Sequence, residues 1–558
     1  MPFKEITVNN ANAIRTPQAI PCPEATDLDP DYHPCAKTNR RAVLWITILG
    51  SSLAFMDGSI VNVALPTLQR AFHAGASSVQ WVVQSYALFS AALLLFSGAL
   101  GDQFGRKKIF VLGVACFTAS SLGCAVANSL SFLIVWRSLQ GIGASLLIPQ
   151  SLAILSAAYS AEDRAAAIGN WSAWASVFAA LGPVAGGWLI QSLNWRWAFA
   201  INLPVAIWIF FLLPKLRESE SDFSLESLRK LDLRGTLLNT LGLGAVVYSL
   251  SFAPEYGWMD LRISGTFMAG LLLILAFLAT QARRENALMP LSLFKNQRFL
   301  SVNLFTFLLY GALSVTFYAV PFFAIQIKHL SAVSTGAAFL PCIAVIFMFT
   351  SRIGRMSARY EERPFLLIGA IVSAAGIALF AFFARQPGYG TSLLPGMIGL
   401  GVGVTIALAP LTNVVMTSVP DGKSSLASAV NNSVSRLAGL LVLSGLILVL
   451  SHAFNHSLAL KLSSSSLPSN AKDSLYAERS LMAAAEIPNT LKGTERQTAA
   501  AILADSYTDG YELVMYCCAV AALLSSLPII FWWRRAGENA PVREIRTENL
   551  GQKRQQLA

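Results

Sequence analysis

Charged side chains are scarce in this chain. Asp, Glu, Lys and Arg supply 13% of its 558 residues, against 54% hydrophobic, and the mean hydropathy is +0.55. A soluble protein of this length would need more charge to cover its surface, so a reading as three or four soluble domains is excluded. Runs that alternate apolar and polar residues are almost missing too, which removes a membrane β-barrel and leaves helices as the spanning solution. Cysteine is sparse and scattered: Cys22, Cys35, Cys116, Cys124, Cys342, Cys517 and Cys518. None lies at metal-ligand spacing and none falls in the polar stretch 453–506, so neither disulfides nor a metal is expected. A phosphate-binding G-x-x-x-x-G-K-[ST] loop is missing, which argues against ATP drive by this chain alone. Clustered His, Asp or Glu at one membrane face is missing as well, so acid–base or metal chemistry is not expected and the chain is not read as an enzyme.

Some features invite chemistry and do not support it. Gly399-Leu400-Gly401-Val402-Gly403 follows no strand, so no dinucleotide site is expected. His452 and His456 stand four apart near the end of an apolar run, an incidental pair rather than a metal site. The net charge of +11 sits at the ends of apolar runs rather than in one basic patch, so nucleic acid is not an expected partner. No cofactor is implied.

What the chain does contain is long apolar runs with polar punctuation. A bilayer core takes about 20 apolar residues per helix. Fourteen spans are expected, over 43–66, 79–100, 108–128, 131–156, 165–191, 197–214, 235–253, 263–281, 299–322, 333–351, 364–384, 392–417, 425–452 and 509–533. The sixth to eighth are the shortest and the easiest to miscount. With the N-terminus placed in the cytosol, Lys and Arg of the short loops fall inside over outside by about three to one, which supports that orientation and an even count. Both termini are then cytosolic and the protein is a multi-pass protein of the cell (inner) membrane.

The chain divides as a disordered cytosolic tail (1–42), a six-helix bundle (43–214), a linker with two inserted helices (215–298), and a second six-helix bundle (299–533). The tail lacks the compact basic–apolar–small pattern of a signal peptide. A cytosolic tail (534–558) closes the chain. The second bundle carries an outer loop, 453–506, read as a partly helical, solvated hairpin whose length also suits a periplasmic partner. Repeats of this kind place substrate sites near the midplane between halves.

Ionisable residues inside a bilayer are costly, so each is a functional candidate. Asp57 lies deep in the first span. Burial disfavours a charged carboxylate, so such a group can hold a proton at one stage and release it when water or Arg reaches it. A structural acid paired permanently with a neighbouring helix is the competing reading. Arg137, in the fourth span, stays charged and needs carbonyls, water or a carboxylate. Pairing with Asp57 and snorkelling to an interface are both open to it. Gly98-Ala99-Leu100-Gly101-Asp102-Gln103-Phe104-Gly105-Arg106-Lys107-Lys108 joins the second and third spans. Asp102 there either caps another helix and gates the cytosolic side, or belongs to an ordinary positive-inside loop. Gly182, Pro183, Gly186 and Gly187 bend the fifth span and flatten one face, as a hinge or a tight seal requires.

Together these segments resemble the major facilitator superfamily, and within it the fourteen-spanner drug:proton antiporter family. Asp57 to Pro66 is similar to its first-helix D-x-T-x-V-N-x-A-L-P pattern, with Ser59 in place of Thr. Gly98 to Lys108 is similar to G-x-L-x-D-x-x-G-R-K-x. Arg137, Gln140 and Gly141 match R-x-x-Q-G, and Gly182, Pro183, Gly186 and Gly187 match G-P-x-x-G-G. Trp195 to Pro204 adds a stretch often seen before the sixth helix. The resemblance implies a facilitator fold with alternating access, exporting substrate against protons. It assigns coupling to Asp57 and Arg137, and a cytosolic gate to Gly98, Asp102, Gly105 and Arg106. Asp102 is expected to bridge to the thirteenth helix near Ser424 and Ser425. The antiporter hinge falls on Gly182, Pro183, Gly186 and Gly187.

Departures from the pattern carry expectations as well. Phe178 replaces a motif glycine four residues before Gly182, implying a stiffer hinge. The second-half loop copy, near Gly354 to Arg363, has no clear Asp, so gating is expected mainly in the first half. The thirteenth helix carries Asn431, Asn432 and Arg436 but no acid, where exporters of multivalent cations in this family often place carboxylates. The substrate cavity is expected to involve Asn62, Gln84, Gln140, Asn431, Asn432 and Arg436. The expected function is proton-coupled export of small amphipathic compounds, with a neutral, weakly cationic or anionic substrate. A dedicated exporter of one metabolite or lipid shares every motif. A non-transporting receptor keeps the fold without needing Asp57, and an intramembrane lipid-modifying enzyme is the rival from another class.

Overall fold

In a bilayer every backbone N–H and C=O must be paired within its own segment, and the apolar runs meet that demand as helices. The computed structural model describes residues 37–159, 161–216, 231–284, 287–419 and 424–533, and no strand occurs among them. The expected tails lie outside them except for residues 37–42, as does the start of the linker over 217–230.

Thirteen described helices are long and apolar enough to cross a membrane, and a bent pair makes the fourteenth. In chain order they are α1 (Arg40–Phe72), α2 (Ala76–Ala92 with Leu94–Phe104, bent by 47°), α3 (Arg106–Ala125), α4 (Leu130–Ala158), α5 (Ala167–Ser192), α6 (Trp197–Lys215) and α7 (Leu233–Tyr256). There follow α8 (Leu261–Arg283), α9 (Gln297–Ile327), α10 (Ala332–Ser357), α11 (Glu362–Phe382), α12 (Leu394–Thr417), α13 (Leu426–Ser464) and α14 (Gly493–Phe531). All fourteen expected runs are there, the short sixth to eighth included. An even count returns the chain to the face where α1 begins, here the terminal face; the opposite one is the distal face.

Local chemistry starts several helices. Ser129 accepts the Phe132 N–H, Asn296 accepts those of Arg298 and Phe299, and Ser331 accepts that of Ser334, each at a first turn with unpaired donors. Gly105, at φ +94°, makes the sharp exit from α2 into α3 without a Cβ to strain.

Helices α1 to α6 pack together, and α9 to α14 form the second group. The inserted pair lies across the seam: α7 touches both α2 and α13, and Leu88, Ala92, Leu243, Val247 and Leu440 form one buried apolar cluster there. Trp81 adds ring contacts to Tyr248 and Phe252. On the terminal face Asp232 ties the pair, accepting from Gln281 Nε2 at 2.5 Å and Arg284 Nη1 at 3.0 Å. Only 17% of the apolar stretch of α8 is buried, against 72% for α9, so α8 meets lipid and α9 the interior.

The stretch 453–506 is partly helical, and it also packs on the distal end. Helix α13 continues to Ser464 and α14 begins at Gly493, so both project past the distal face. The connection between them buries Leu467, Ala471, Leu475, Met482 and Leu491. It caps the distal end because its apolar residues recur where α13 and α14 present apolar faces. Gln69, near the end of α1, donates from Nε2 to the Leu481 carbonyl at 3.0 Å and accepts from Gln326 of α9 at 2.8 Å.

Candidate functional site

Five of the first six helices contribute to one buried polar cluster. Asp57 of α1 and Arg137 of α4 are both fully buried, and Arg137 Nη1 donates to Asp57 Oδ2 at 2.5 Å. The other carboxylate oxygen, Oδ1, accepts from Gln140 Nε2 at 2.9 Å and from Asn202 Nδ2 at 3.0 Å. Both amides also reach Ser121 Oγ of α3, at 2.7 and 2.9 Å. Arg137 further donates to Gln140 Oε1 at 2.6 Å and, from Nε, to the Val82 carbonyl of α2 at 3.0 Å. Its guanidinium lies 4.3 Å from the centre of the Tyr86 ring, whose hydroxyl donates to the Ala54 carbonyl. Of the two arrangements open to Arg137, the structure contains the ion pair, not snorkelling.

A buried ion pair persists only when further hydrogen bonds replace lost water. Here three neutral residues do that work. Gln140, expected in the substrate cavity, instead spends its amide on the pair. Asn202 was not singled out from the sequence as a site residue, although it stands in the Trp195 to Pro204 stretch. Nothing local marks it, because its function in the cluster comes from the way α6 packs against α1 and α3.

Asp102 and Arg106 form an i,i+4 ion pair at 2.9 Å, and Arg106 Nη1 also reaches the Ala153 carbonyl of α4. Lys107 Nζ donates to the Leu216 carbonyl at the end of α6 at 2.5 Å. The loop is thus braced within the first half. The side chains of Ser424 and Ser425, where a bridge from Asp102 is expected, lie outside the described residues. Gly98 is half-buried beside Pro149 of α4. The second half has an acid at the comparable turn after all: Glu362, at the start of α11, accepts from Asn413 Nδ2 of α12 at 2.7 Å and pairs with Arg298 of α9 at 3.5 Å. It is a Glu where the motif has Asp, and it follows the turn rather than preceding it.

The glycines of α5 face two ways. A Cβ on Gly182 would overlap Ser59 of α1, and one on Gly186 would press on Ile60. A Cβ on Gly187 would overlap the Ala332 carbonyl, and one on Gly336 the Pro183 carbonyl. The first half therefore meets the start of α10 backbone to backbone near the distal face, where Val333 N–H also donates to Gln191 Oε1. Small residues permit this approach, and the geometry is a seal. Phe178, in place of a glycine, lies with its ring centre 6.2 Å from that of Trp174, the two rings tilted by 41°.

The remaining expected residues lie along the seam between halves or just inside it. Gln84 of α2 is buried and donates to Ser444 Oγ of α13 at 2.8 Å, leaving its own carbonyl oxygen without a partner. Arg436 of α13 donates to Ser90 Oγ of α2. Asn431 donates to Asn303 Oδ1 at 3.1 Å and Thr306 Oγ1 at 2.8 Å, wholly within the second half. Asn432 is exposed, and Asn62 is half-buried with an unpartnered buried oxygen. Among the described residues no group of three His, Cys, Asp or Glu is placed to hold a metal ion.

Comparison with known proteins agrees with this architecture. The chain is 32% identical over 399 residues to the multidrug resistance protein Stp of Mycobacterium tuberculosis, covering 70% of this chain and 73% of that protein. It is 32% identical to the methylenomycin A resistance protein of Bacillus subtilis, over 72% of this chain and 85% of that protein. The tetracenomycin C resistance and export protein of Streptomyces glaucescens is 26% identical over 89% of this chain and 94% of its own length. Among solved structures, a bacterial homologue of the human lysosomal transporter Spinster, inward-facing and occupied, superposes with a TM-score of 0.60 at 18% identity. That match covers 89% of this chain and 98% of the other. The peptide transporter POT in complex with sulfate gives a TM-score of 0.59 at 11% identity, over 92% and 96%. At those identities the likeness is one of fold. The sequence model of the Major Facilitator Superfamily matches residues 47–443, and with the helical architecture above it makes this chain a member of that superfamily, a multi-pass membrane transporter and not an enzyme.

Proposed function

We propose that the protein exports small amphipathic compounds in exchange for protons, by alternating access, from a cytoplasmic membrane in which the terminal face meets the cytosol. The observation that carries this reading is the Asp57–Arg137 pair, the described ion pair in which neither partner reaches solvent. Its polar neighbours hold Asp57 in place whether or not it carries a proton, since the Gln140 and Asn202 amides can turn an oxygen or an N–H toward it. Protonating Asp57 removes the charge that Arg137 balances, and the guanidinium is then free to shift against Val82 and Tyr86 of α2. Because α2 also touches α13 through Gln84 and Ser90, that shift acts on the seam between halves. The backbone-close packing of α5 on α10 supports a distal-closed state of the cycle. Relatives named for resistance to several antibiotics support small, chemically varied cargo, and the Lys and Arg of the short loops support the orientation.

The test is efflux of fluorescent amphipathic dyes from energised cells or inverted vesicles, for wild type and Asp57→Asn, with and without a protonophore. Proton-coupled export requires that wild type moves dye and that both the protonophore and the substitution stop it. Normal transport by well-folded Asp57→Asn would overturn the assignment of Asp57.

A further inference from the structure

Asp509 and Glu512 of α14 pair with Arg385 at the distal end, whereas three charged side chains, Asp57, Arg137 and Arg436, are set deep within spans. Two of them neutralise each other. The third does not: among the described residues Arg436 forms no ion pair. A guanidinium carries five N–H donors, and the one described hydrogen bond of Arg436 goes to the Ser90 hydroxyl. An arginine that is largely removed from water and lacks a counter-ion is costly in a bilayer protein, and such residues mark pathways for charged cargo.

Its position is also informative. Arg436, Leu440 and Ser444 stand one turn apart on α13, and each faces α2: Ser90 opposite Arg436, the Leu88 and Ala92 cluster opposite Leu440, and Gln84 opposite Ser444. The antiparallel ladder places Arg436 on the seam, where the two halves must part. The described hydrogen bonds and ion pairs that join the halves lie at this level or toward the distal face. One turn nearer the terminal face, Asn432 is exposed on the same side of α13. Gln84, two turns the other way, keeps a buried oxygen without a partner. Helix α13 carries no carboxylate that could bind a cation directly.

We propose that Arg436 receives an anionic group of the transported compound, a carboxylate or sulfonate on an apolar body, and so selects amphipathic anions over cations. A bidentate pair with such a group replaces the missing counter-ion. Ligand binding then changes what Arg436 does at the seam, exchanging Ser90 for substrate. The inference rests on the reading of the chain as an exporter of amphipathic compounds and names the class of that cargo.

The experiment is equilibrium binding to full-length protein in nanodiscs, read by fluorescence anisotropy, with three aromatic probes: 5-carboxyfluorescein (anion), ethidium (cation) and Nile red (neutral). Wild type is expected to bind the anion most tightly, and added salt is expected to weaken that binding alone. Arg436→Gln is expected to weaken the anion by about tenfold or more, the worth of one charge-assisted contact, while Nile red binding stays within about twofold. Arg436→Lys is expected to fall between, because it keeps the charge and loses the fork. A residue that only braced the seam would shift all three probes alike. The wild-type preference needs no variant, so poor folding of Arg436→Gln does not spare the proposal. Carboxyfluorescein bound no tighter than ethidium, or not at all, overturns it, as does a uniform loss across probes. Nanodiscs carry no proton gradient, so failure of proton-driven efflux and failure of anion preference are separate results.

Discussion

The two halves of this transporter treat buried polarity in opposite ways. In the first, an ion pair is enclosed by Gln140, Asn202 and Ser121, with both carboxylate oxygens and the guanidinium engaged. In the second, the corresponding interior holds neutral groups, Asn303, Thr306 and Asn431, and its one mid-span charge, Arg436, turns outward to α2. A satisfied ion pair is high in stakes and insensitive to cargo, whereas an unbalanced arginine at a seam is open to whatever carries the opposite charge. On the proposed reading, the difference assigns proton handling to the first half and substrate recognition to the second.

The sharpest way to break that comparison is to neutralise each interior in turn. Asp57→Asn is expected to abolish uphill dye efflux, while Asn431→Ala leaves most of it, as measured in the same energised vesicles. If both variants lose transport equally, the division of labour between halves fails. Stability separates them as well. Arg137→Ala leaves a buried carboxylate without its cation and is expected to cost about 3–5 kcal/mol. Asn431→Ala removes neutral hydrogen bonds worth about 1 kcal/mol each. The fall in thermal midpoint of purified protein checks the ranking. The distal seal tests how the halves meet: Gly336→Val drives a side chain into the Pro183 carbonyl. Cysteines at Gln191 and Val333, which face each other across the seal, are expected to cross-link several-fold more slowly with that substitution in place. A smaller effect is expected from Asn432→Asp, which sets a carboxylate one turn from Arg436. It should weaken carboxyfluorescein and strengthen ethidium by about two- to fivefold, the scale of an i,i+4 ion pair in a partly buried setting. The smallest effect is expected at the cap: Gln69→Ala loses two hydrogen bonds to Leu481 and Gln326, and hydrogen exchange of residues 478–485 should rise with little change in efflux.

Much of the fold was legible because a bilayer reads sequence locally. An apolar run of sufficient length becomes a span whatever its neighbours do, so all fourteen runs reappear as helices. Asp57 and Arg137 were legible for the same reason, as charges where charge is expensive. The glycines of α5 were legible as a flat face, though the sequence left a hinge and a seal equally open.

The rest needed the third dimension. Asn202 joins Asp57 across 145 residues, and Arg436 meets Ser90 across 346. Hydropathy reports that a residue sits in a span but not which neighbour its side faces, so an amide beside the ion pair and one in a cavity look alike. Gln140, expected at a cavity, is found bonded to Asp57, Arg137 and Ser121. Glu362 was passed over because its worth comes from Arg298 and Asn413 on other helices, not from a match at its own turn. The partly helical hairpin at the distal end was legible as such, but not its packing, because its apolar residues are too few to span and find their partners on other helices, α1, α2, α9, α13 and α14 among them. By itself the sequence determined where the chain crosses the membrane and which charges it buries there, because those costs are paid residue by residue. Which buried charge is neutralised and which is left without a described counter-ion was decided only by tertiary packing, since an ion pair depends on distance and its two members come from different helices.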